Sequence, residues 1–332
     1  MKKMLVATVF ALTCAMFNAA QAQILAPQGR LTLQSNTPVM TTDVIGATTI
    51  YYTPYVGNSL PVSNGTSLSN QTFSSQLSLN VFNTAVADQL EDVYAIQVSG
   101  AFQLCLVDAW NAAKTARDSG YGLTTLQGIW VNANTISFCA TPSNDYTLTA
   151  QTGIYLGTVY TSEYPGGAGI VGVTMMFKPP ASAGGTRNLL GLWNAYNRVR
   201  TISGCTDSTS SWTDSSSSWA ILNSGSTLLF NSITFVDGLQ QSFVDAELQI
   251  QADTSATSVV GAIGVGIDGA SPAGNIALTS NATFLMPIRA FDLYTPQPGY
   301  HTISAQQWAS GSTVSFSTNS GTAEELKVEL EM

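Results

Sequence analysis

Strict alternation of apolar and polar residues is the sequence feature that most constrains the fold. In the stretch FVDAELQIQ, residues 243–251, four apolar side chains point to one side of an extended strand and four acidic or amide side chains point to the other. A period of two is the signature of a strand with one face in the core and one face in water. The same pattern recurs in RLTLQ (30–34), TVSFST (313–318) and EELKVELE (324–331).

The remaining chain also favours an all-β fold. Short β-branched and aromatic runs are separated by Gly, Pro, Asn and Ser clusters, a spacing typical of an antiparallel β-sandwich or jelly-roll-like protein. The two stretches with some helical character, residues 82–92 and 108–118, are short and carry no sustained apolar stripe. We therefore predict loops or single turns there, and little helix overall.

The stretch KPPASAGGTR, residues 178–187, interrupts the alternation with two prolines and two adjacent glycines. Such clusters mark loops and boundaries. They predict an N-terminal β domain at 23–177, a Pro/Gly linker at 178–187 and a C-terminal β-sandwich domain at 188–332. A serine-rich stretch, residues 206–219, is interpreted as a loop leading into a strand, because its two tryptophans need a surface to pack on.

The N-terminus has the pattern of a secretory signal peptide. Lys2 and Lys3 precede an apolar run over residues 4–17 and a small-residue stretch that ends at Ala22. We predict a signal peptide at residues 1–22, cleaved after Ala22. The apolar run is shorter than the roughly 20 residues of a spanning helix. No membrane span is expected after cleavage, and the mature protein is expected to be secreted or periplasmic.

The composition agrees with an exported protein. Charged residues make up 9% of the chain, against about 25% in typical soluble domains. Loss of residues 1–22 leaves 9 basic against 20 acidic residues, a net charge of about −11. Nucleic-acid binding is disfavoured, because phosphate contacts need clustered Lys and Arg. A surface of neutral polar residues suits envelope, extracellular and virion-surface proteins.

Three cysteines remain after removal of Cys14 with the signal peptide: Cys105, Cys139 and Cys205. An odd number permits at most one bridge within the chain, and the spacing does not decide between the pairs or three buried thiols. Neither a CxxC motif nor a His-rich cluster accompanies them. The sequence predicts no metal, no cofactor and no catalytic residue.

Two motifs resemble functional signatures only superficially. GVGIDG at 264–269 fits GxGxxG, but a turn-like ASPAGN follows where a dinucleotide site needs a helix. Glycines in a closely packed strand explain the motif better. His301 is the one histidine, and no GxSxG nucleophile elbow accompanies it, so we expect a solvated or hydrogen-bonded side chain.

Asp245 and Glu247 are the acidic pair with the clearest shared face. Glycosidases need two carboxyl groups across a cleft, and clustered carboxylates also bind calcium. A solvated strand face is the simpler interpretation, and it leaves catalysis as a minor alternative.

The six tryptophans could plug the core or stack on sugar rings. Most are expected in the core. Trp110 and Trp212 have polar, loop-like neighbours, and we predict exposed rings and ligand stacking for these two.

The tyrosine-rich stretch ATTIYYTPYVGNSLPVSNG, residues 47–65, is predicted to form a hairpin. Alternation puts Tyr51 and Tyr55 on one face and Ile50 and Tyr52 on the other. Pro54 ends the first strand or confines it to an edge, and Gly57-Asn58 makes the turn. The tyrosines are expected to pack between layers rather than form a binding platform.

Several strings together carry a family resemblance. They are residues 29–65, which include the tyrosine-rich stretch, LQGIWVNANTIS, LLGLWNAYNRVR and DSTSSWT. With these strings the chain resembles a family of uncharacterised phage and prophage proteins, generally taken for tail-fibre-like or other virion-surface components. The resemblance covers most of the chain from Gly29 onwards. It implies a β-rich structural or receptor-contacting protein and no catalytic residues.

We therefore expect a non-enzymatic, exported, phage- or prophage-derived surface protein of the fibre type. A secreted carbohydrate-binding or adhesin protein is the alternative, and a glycosidase is the third hypothesis. The expected partners are a cell-surface glycan and, by analogy with fibres, further copies of the chain through edge strands rich in Thr, Ser and Asn. A virion surface is the alternative location to secretion.

Overall fold

The structure, a computed structural model, describes residues 26–81, 85–141, 144–163, 171–223, 231–240, 243–254, 258–274, 276–279, 286–317 and 324–332. The predicted signal peptide, residues 1–22, lies outside these ranges. Within them the chain forms strands and connecting loops and no helix. The all-β prediction is confirmed.

Fourteen strands precede residue 178. They are β1 (Gly29–Thr32), β2 (Val44–Ala47), β3 (Thr49–Pro54), β4 (Ser59–Ser63), β5 (Leu68–Thr72), β6 (Leu77–Asn80), β7 (Gln89–Val98), β8 (Ala101–Val107), β9 (Leu123–Leu126), β10 (Ile129–Asn132), β11 (Ile136–Ala140), β12 (Asp145–Leu148), β13 (Ile154–Glu163) and β14 (Val171–Met175).

Thirteen strands follow. They are β15 (Arg187–Leu190), β16 (Leu192–Asn194), β17 (Arg200–Asp207), β18 (Ser211–Asp214), β19 (Ala220–Ile221), β20 (Ser232–Asp237), β21 (Val244–Thr254), β22 (Gly261–Ile267), β23 (Ala277–Thr279), β24 (Met286–Tyr294), β25 (Gly299–Ala309), β26 (Val314–Ser317) and β27 (Glu324–Glu331).

These strands form four sheets. The large sheet has the order β12-β11-β8-β7-β13-β14-β15-β20-β25-β22-β23, with β2, β9, β10, β16 and β19 attached beside this path. A six-stranded sheet runs β17-β27-β21-β26-β18, with β24 on the other edge of β21. Two small sheets, β1-β3-β6 and β4-β5, complete the fold. The strand pairs of the described residues are antiparallel with one exception, the parallel pair of β15 and β20.

The large sheet continues across the predicted linker. β15, at its end, pairs with β14 through Leu190 and Met175, and with β20 on its other edge. Ahead of β15, the backbone N–H of Gly184 donates to the buried carboxylate of Asp207 at 3.1 Å. The predicted domain ranges stay a prediction, since nothing here tests whether either part folds alone.

The six-stranded sheet shows the alternation that the sequence predicted. On β21 the residues Val244, Ala246, Leu248 and Ile250 are buried, while the side chains between them are exposed or half-buried. On β27 the inward residues are Leu326, Val328 and Leu330, as predicted. These side chains pack against the large sheet: a Cβ added at Gly261 of β22 would lie 2.5 Å from Val314 of β26. Two layers thus enclose the core in this part of the molecule.

The opposite face of the large sheet carries polar residues here. Ile233, Phe235 and Ile303 point into the core, so their neighbours at 232, 234, 302 and 304 point to the outer face. That outer face holds the candidate site.

The predicted hairpin over residues 47–65 is wrong. β3 pairs with β1 and β6, whereas β4 pairs with β5, so the two strands of the predicted hairpin lie in different sheets. Gln28 holds the connection: its carbonyl oxygen accepts from the N–H groups of Tyr55 and Val56, and its side chain accepts from Ser59. The turn lies one strand later, where the Asn64 side chain accepts from the backbone of Ser67 at 2.8 Å.

The alternation predicted for that stretch is correct within β3, but the expectation that its tyrosines pack between layers is wrong for Tyr55. Ile50 and Tyr52 are buried on one face, Tyr51 is half-buried on the other, and Tyr55 is exposed just beyond Pro54, the last residue of β3. Tyr52 packs against Phe73 with ring centroids 5.3 Å apart.

One disulfide, Cys105–Cys139, joins β8 to β11, and Cys205 is buried on β17. Residues 108–118 form a loop closed by a bridge between Trp110 and Arg117, in agreement with the prediction for that stretch. The described residues contain no helix of the length and apolarity required to cross a membrane.

Candidate ligand-binding groove

A groove of about 470 Å³ lies on the outer face of the large sheet, and we call it the outer groove. Its floor consists of hydroxyl side chains on two neighbouring strands, Ser232 and Thr234 on β20 and Thr302 and Ser304 on β25. Each pair is two residues apart, and Ser232 is in register with Ser304 and Thr234 with Thr302. Alternation therefore sends all four hydroxyls to the same face of the sheet.

One wall of the outer groove depends on two glycines of GVGIDG. Those residues lie in and just after β22, as predicted for closely packed strand glycines rather than a nucleotide site. A Cβ at Gly264 would lie 2.5 Å from the Cβ of Pro272 and 3.5 Å from the Trp219 ring. A Cβ at Gly266 would lie 2.6 Å from the carbonyl oxygen of Ala270. The missing side chains let the loop after β22 and the Trp219 ring lie directly over the strand.

Aromatic rings contribute to two sides of the outer groove. The half-buried Trp219 lines it beside β19, and the half-buried Tyr300 lines it at the start of β25. Behind Tyr300 lies Tyr160, with ring centroids 4.6 Å apart, and Lys114 Nζ lies 5.8 Å from the Tyr300 ring centre. Burial raises the pKa of Tyr300, so its hydroxyl is protonated at neutral pH and can donate a hydrogen bond. Flat rings beside hydroxyl groups suit a ligand with both apolar and polar faces.

Arg187 carries the formal charge of the outer groove. It is the one ionised side chain among the described residues that line it, and it is exposed at the first position of β15. Its register partner across the parallel pair is Ser232. Its charge acts on the Tyr300 hydroxyl, where it opposes the rise in pKa caused by burial. A guanidinium thus lies at the side of a hydroxyl-lined floor.

Gln306 supplies an amide at the opposite end. Its Nε2 donates to the carbonyl oxygen of Ala270 at 2.9 Å, and this bond ties β25 to the loop that forms the wall.

His301 holds the same loop from the core side of the sheet. Nδ1 lies 2.8 Å from the Asp268 carboxylate, and Nε2 lies 2.6 Å from the carbonyl oxygen of Gln297. Both partners are acceptors, so the doubly protonated ring fits this position best. Burial lowers the pKa of His301, but the hydrogen bond and charge of Asp268 outweigh it and the net direction is upward. The predicted hydrogen-bonded side chain is confirmed.

A second polar cluster is fully enclosed. The carboxylate of Asp92 accepts from Arg117 Nε at 2.6 Å, from the Trp110 indole at 2.9 Å and from Thr158 at 2.8 Å. Arg117 also donates to the carbonyl oxygen of Gly238 at 3.0 Å, which links β7 to the end of β20. We call this group the Asp92 cluster. The oxygens of the Asp92 carboxylate accept from the protein's own donors, so the cluster stabilises the fold and has no carboxylate oxygen available to a ligand.

Two other buried carboxyl groups have fewer partners. Burial raises the pKa of Glu91 to about 8 and that of Asp237 to about 7. Both are 1% exposed, and one oxygen of each has no hydrogen-bond partner within the described residues. A raised pKa in a carboxyl group is often a mark of function. Neither side chain lines the outer groove, however, and we assign them no role in it.

The structure overturns the predicted exposure of Trp110. Its side chain is 1% exposed, because the polar neighbours that suggested a surface position are its partners. The indole donates to Asp92, and the Arg117 guanidinium lies 4.4 Å above the ring. In this arrangement its faces are covered by protein.

Trp212 is half-buried, and no described tryptophan is classed as exposed. Its indole donates to Gln307 at 2.8 Å, and its ring stacks on Phe316 at 5.9 Å. Trp212 does not line the outer groove. Ligand stacking by Trp212 stays a prediction.

Asp245 and Glu247 lie on the outer face of the six-stranded sheet, away from the outer groove. Asp245 is exposed, and Glu247 is half-buried beside Arg289, with which it forms an ion pair. The predicted strand-face position of both is confirmed. Within the described residues, no group of three His, Cys, Asp or Glu side chains could hold a metal ion.

Sequence reasoning did not select the residues of the outer groove, although a signal existed. In YHTISAQ, residues 300–306, every second residue is polar or aromatic, which predicts one polar face on a strand whose other face is apolar. Arg187 lies on β15 and Trp219 directly precedes β19, and only the strand order of the sheet brings them to this face.

Comparison with protein families and with curated proteins gave no match. Among solved structures, the chain is similar to the mosquito-larvicidal Cry4Aa toxin of Bacillus thuringiensis, with 8% sequence identity and a TM-score of 0.21. The alignment covers 92% of this chain and 51% of the toxin, so the chain spans about half the toxin's length. At that score the similarity carries no argument about fold or function.

Proposed function

We propose that the chain is an exported, non-enzymatic surface protein that contacts a receptor glycan through the outer groove. The observation that carries the proposal is the groove itself: four in-register hydroxyls form its floor, and Trp219 and Tyr300 lie at its sides. Sugars present hydroxyl groups at their edges and C–H groups on their faces. Hydroxyl and amide side chains match the former, and aromatic rings match the latter.

The rigidity of the floor supports binding. Its hydroxyls stand on adjacent strands of a sheet whose other face is packed into the core, so few rotamers need to be ordered when a ligand binds. The volume of about 470 Å³ falls within the roughly 300–1,000 Å³ usual for ligand sites.

Export is supported by the disulfide and by the composition. A bridge between Cys105 and Cys139 suits an oxidising compartment. The resemblance to phage and prophage surface proteins agrees with a receptor-contacting role. It favours a prophage-derived module adopted for secretion, with the fibre-type and adhesin hypotheses sharing this one site.

A glycan array tests the binding, using the protein secreted by the producing cells. We expect saturable binding that is weakened about tenfold by Trp219→Ala or Tyr300→Ala, since loss of one stacking ring removes about 1–2 kcal/mol. Phe138→Ala is the matched control, because Phe138 is an exposed aromatic residue (69%) outside the groove. Binding that survives both groove substitutions would contradict the proposal.

Fractionation of the same cells tests export. A product that starts at Gln23 in periplasm or medium supports it, whereas a product that starts at Met1 in purified virions contradicts it. Screening on polysaccharides tests the enzyme hypothesis: turnover abolished by Asp245→Asn or Glu247→Gln would overturn the non-enzymatic proposal.

A further inference from the structure

We propose that the glycan recognised by the outer groove is acidic and places a carboxylate against Arg187. This inference rests on the proposed function and names the ligand class of the same site. Its starting point is the distribution of charge: Arg187 is the one ionised residue among the described residues lining the groove, in a chain with 11 basic and 20 acidic residues.

The position of Arg187 fits a ligand that spans the floor. Arg187, Ser232 and Ser304 are register partners on three consecutive strands, β15, β20 and β25. Neighbouring strands lie about 4.8 Å apart, so the row spans about 10 Å, the length of one to two sugar rings. A ring above Ser232 and Ser304 would direct a substituent at its edge towards the guanidinium.

Arginine is suited to a planar carboxylate. Its guanidinium presents paired N–H donors whose geometry matches both oxygens of the group. The Tyr300 hydroxyl is hydrogen-bonded to Thr234 and Tyr160, so the guanidinium is the donor on which the inference rests. The described lining residues include no Asp or Glu, so no carboxylate of the groove itself repels an acidic sugar.

Lys114 is a second cation near the Tyr300 end of the outer groove. Its Nζ lies 5.8 Å from the Tyr300 ring centre and 5.9 Å from the Tyr160 ring centre, and it pairs with Asp88 at 3.1 Å. Lys114 does not line the outer groove whereas Arg187 does, so Arg187 is the residue whose substitution tests the preference for acidic over neutral sugars.

The test compares matched pairs of oligosaccharides on an array and by titration calorimetry. Each pair contains a uronic-acid oligomer and the same oligomer with its carboxyl groups reduced to alcohols. We expect the full-length secreted protein to prefer the acidic member about fivefold, the value of a solvent-exposed charge pair. The preference should shrink in 0.5 M salt, because screening weakens exposed charges.

Three variants test whether the preference for acidic oligomers depends on Arg187. Arg187→Gln should bring the ratio of the two affinities close to one, and Arg187→Lys should leave part of the preference. Arg289→Gln removes an exposed arginine on the other sheet and should leave the ratio unchanged.

The outcomes separate the inference from the function on which it rests. Equal affinity for acidic and reduced oligomers, or a preference that persists in Arg187→Gln, overturns the acidic ligand while glycan binding stands. Tighter binding of sulfated oligomers overturns the choice of carboxylate. Absence of saturable binding to either member of every pair overturns the proposed function, and the inference with it.

Discussion

The Asp92 cluster and the outer groove are both polar regions on the large sheet, yet their polar atoms are used differently. In the Asp92 cluster, charged groups with almost no exposure satisfy one another at 2.6–3.0 Å. In the outer groove, neutral hydroxyls border an open volume beside the exposed Arg187, although they also bond within the protein: the hydroxyls of Thr234 and Thr302 lie 3.2 Å apart, and that of Ser304 donates to the carbonyl oxygen of Gly266 at 3.4 Å. The difference is one of access: a polar residue in a sheet is a candidate for binding when it borders open space, and its role is structural when protein encloses it.

The largest expected effect follows from breaking the Asp92 cluster. Asp92→Asn should lower the free energy of unfolding by about 3–5 kcal/mol, because it leaves the guanidinium of Arg117 buried without its counter-charge. Urea titration measures the change. At a temperature where the variant is folded, its glycan affinity should equal that of the parent, since Asp92 does not line the groove. Reduced affinity there would show that the two regions are coupled.

A smaller effect is expected at the wall of the outer groove. Gly264→Ala places a Cβ 2.5 Å from Pro272, and the loop must move. We expect a loss of about 1–3 kcal/mol in unfolding free energy together with weaker glycan binding. Gly204→Ala is the control, because its Cβ would lie 3.4 Å from a flexible Glu325 side-chain oxygen. Unchanged binding in Gly264→Ala would mean that the wall does not contact the ligand.

The pH dependence of the melting temperature tests the shifted pKa values of the buried titratable groups. His301 has a raised pKa in the folded state, so its contribution is complete below about 6.5 and is lost as the pH rises through the folded value. Asp237, with a pKa of about 7, and Glu91, with a pKa of about 8, bind their protons more tightly folded than unfolded and act in the same direction. The melting temperature should therefore fall by a few °C between about pH 5.5 and about pH 8.

The His301→Gln variant separates the contribution of the histidine to the pH dependence of stability from that of the buried carboxyl groups. It should reduce the slope of melting temperature against pH without removing it, because Asp237 and Glu91 remain. A melting temperature that rises with pH over this range would contradict the assignment of both groups.

The smallest effect is expected on the six-stranded sheet. Asp245→Asn should change the free energy of unfolding by less than about 0.5 kcal/mol and leave glycan binding unchanged, since its side chain is exposed on a solvated strand face. Thermal melting and the glycan array check it. A large loss of either would show that this face has a function of its own.

The sequence predicted strands well where one face meets water. β21 and β27 alternate in the sequence and in burial. β13 does not, because its first eight residues are buried on both faces, and only its β-branched and aromatic content marked it as a strand. Strand pairing was harder to predict from the sequence. Gln28, which is distant in sequence from the predicted turn, binds the connection between β3 and β4 through its carbonyl oxygen and its side chain, and the two strands do not form the hairpin that the local pattern predicts.

The outer groove was partly hidden for the same reason. The hydroxyls of β25 show in the sequence as a polar face, but Arg187, Trp219 and Tyr300 meet through strand order alone. For Trp110 the sequence predicted an exposed ring, and the structure buries it. Its polar neighbours in the sequence, including Arg117, enclose it instead of exposing it.

The parallel pairing of β15 and β20 constrains the order of folding. A turn joins antiparallel strands, but parallel strands require the chain to return to the same end before they meet. The chain between β15 and β20 must therefore cross over before these two strands can pair. Contacts of long sequence separation form slowly. We therefore expect Arg187 on β15 to join the floor strands late, so a chain interrupted before that step would have its disulfide-linked strands β8 and β11 but not the complete outer groove.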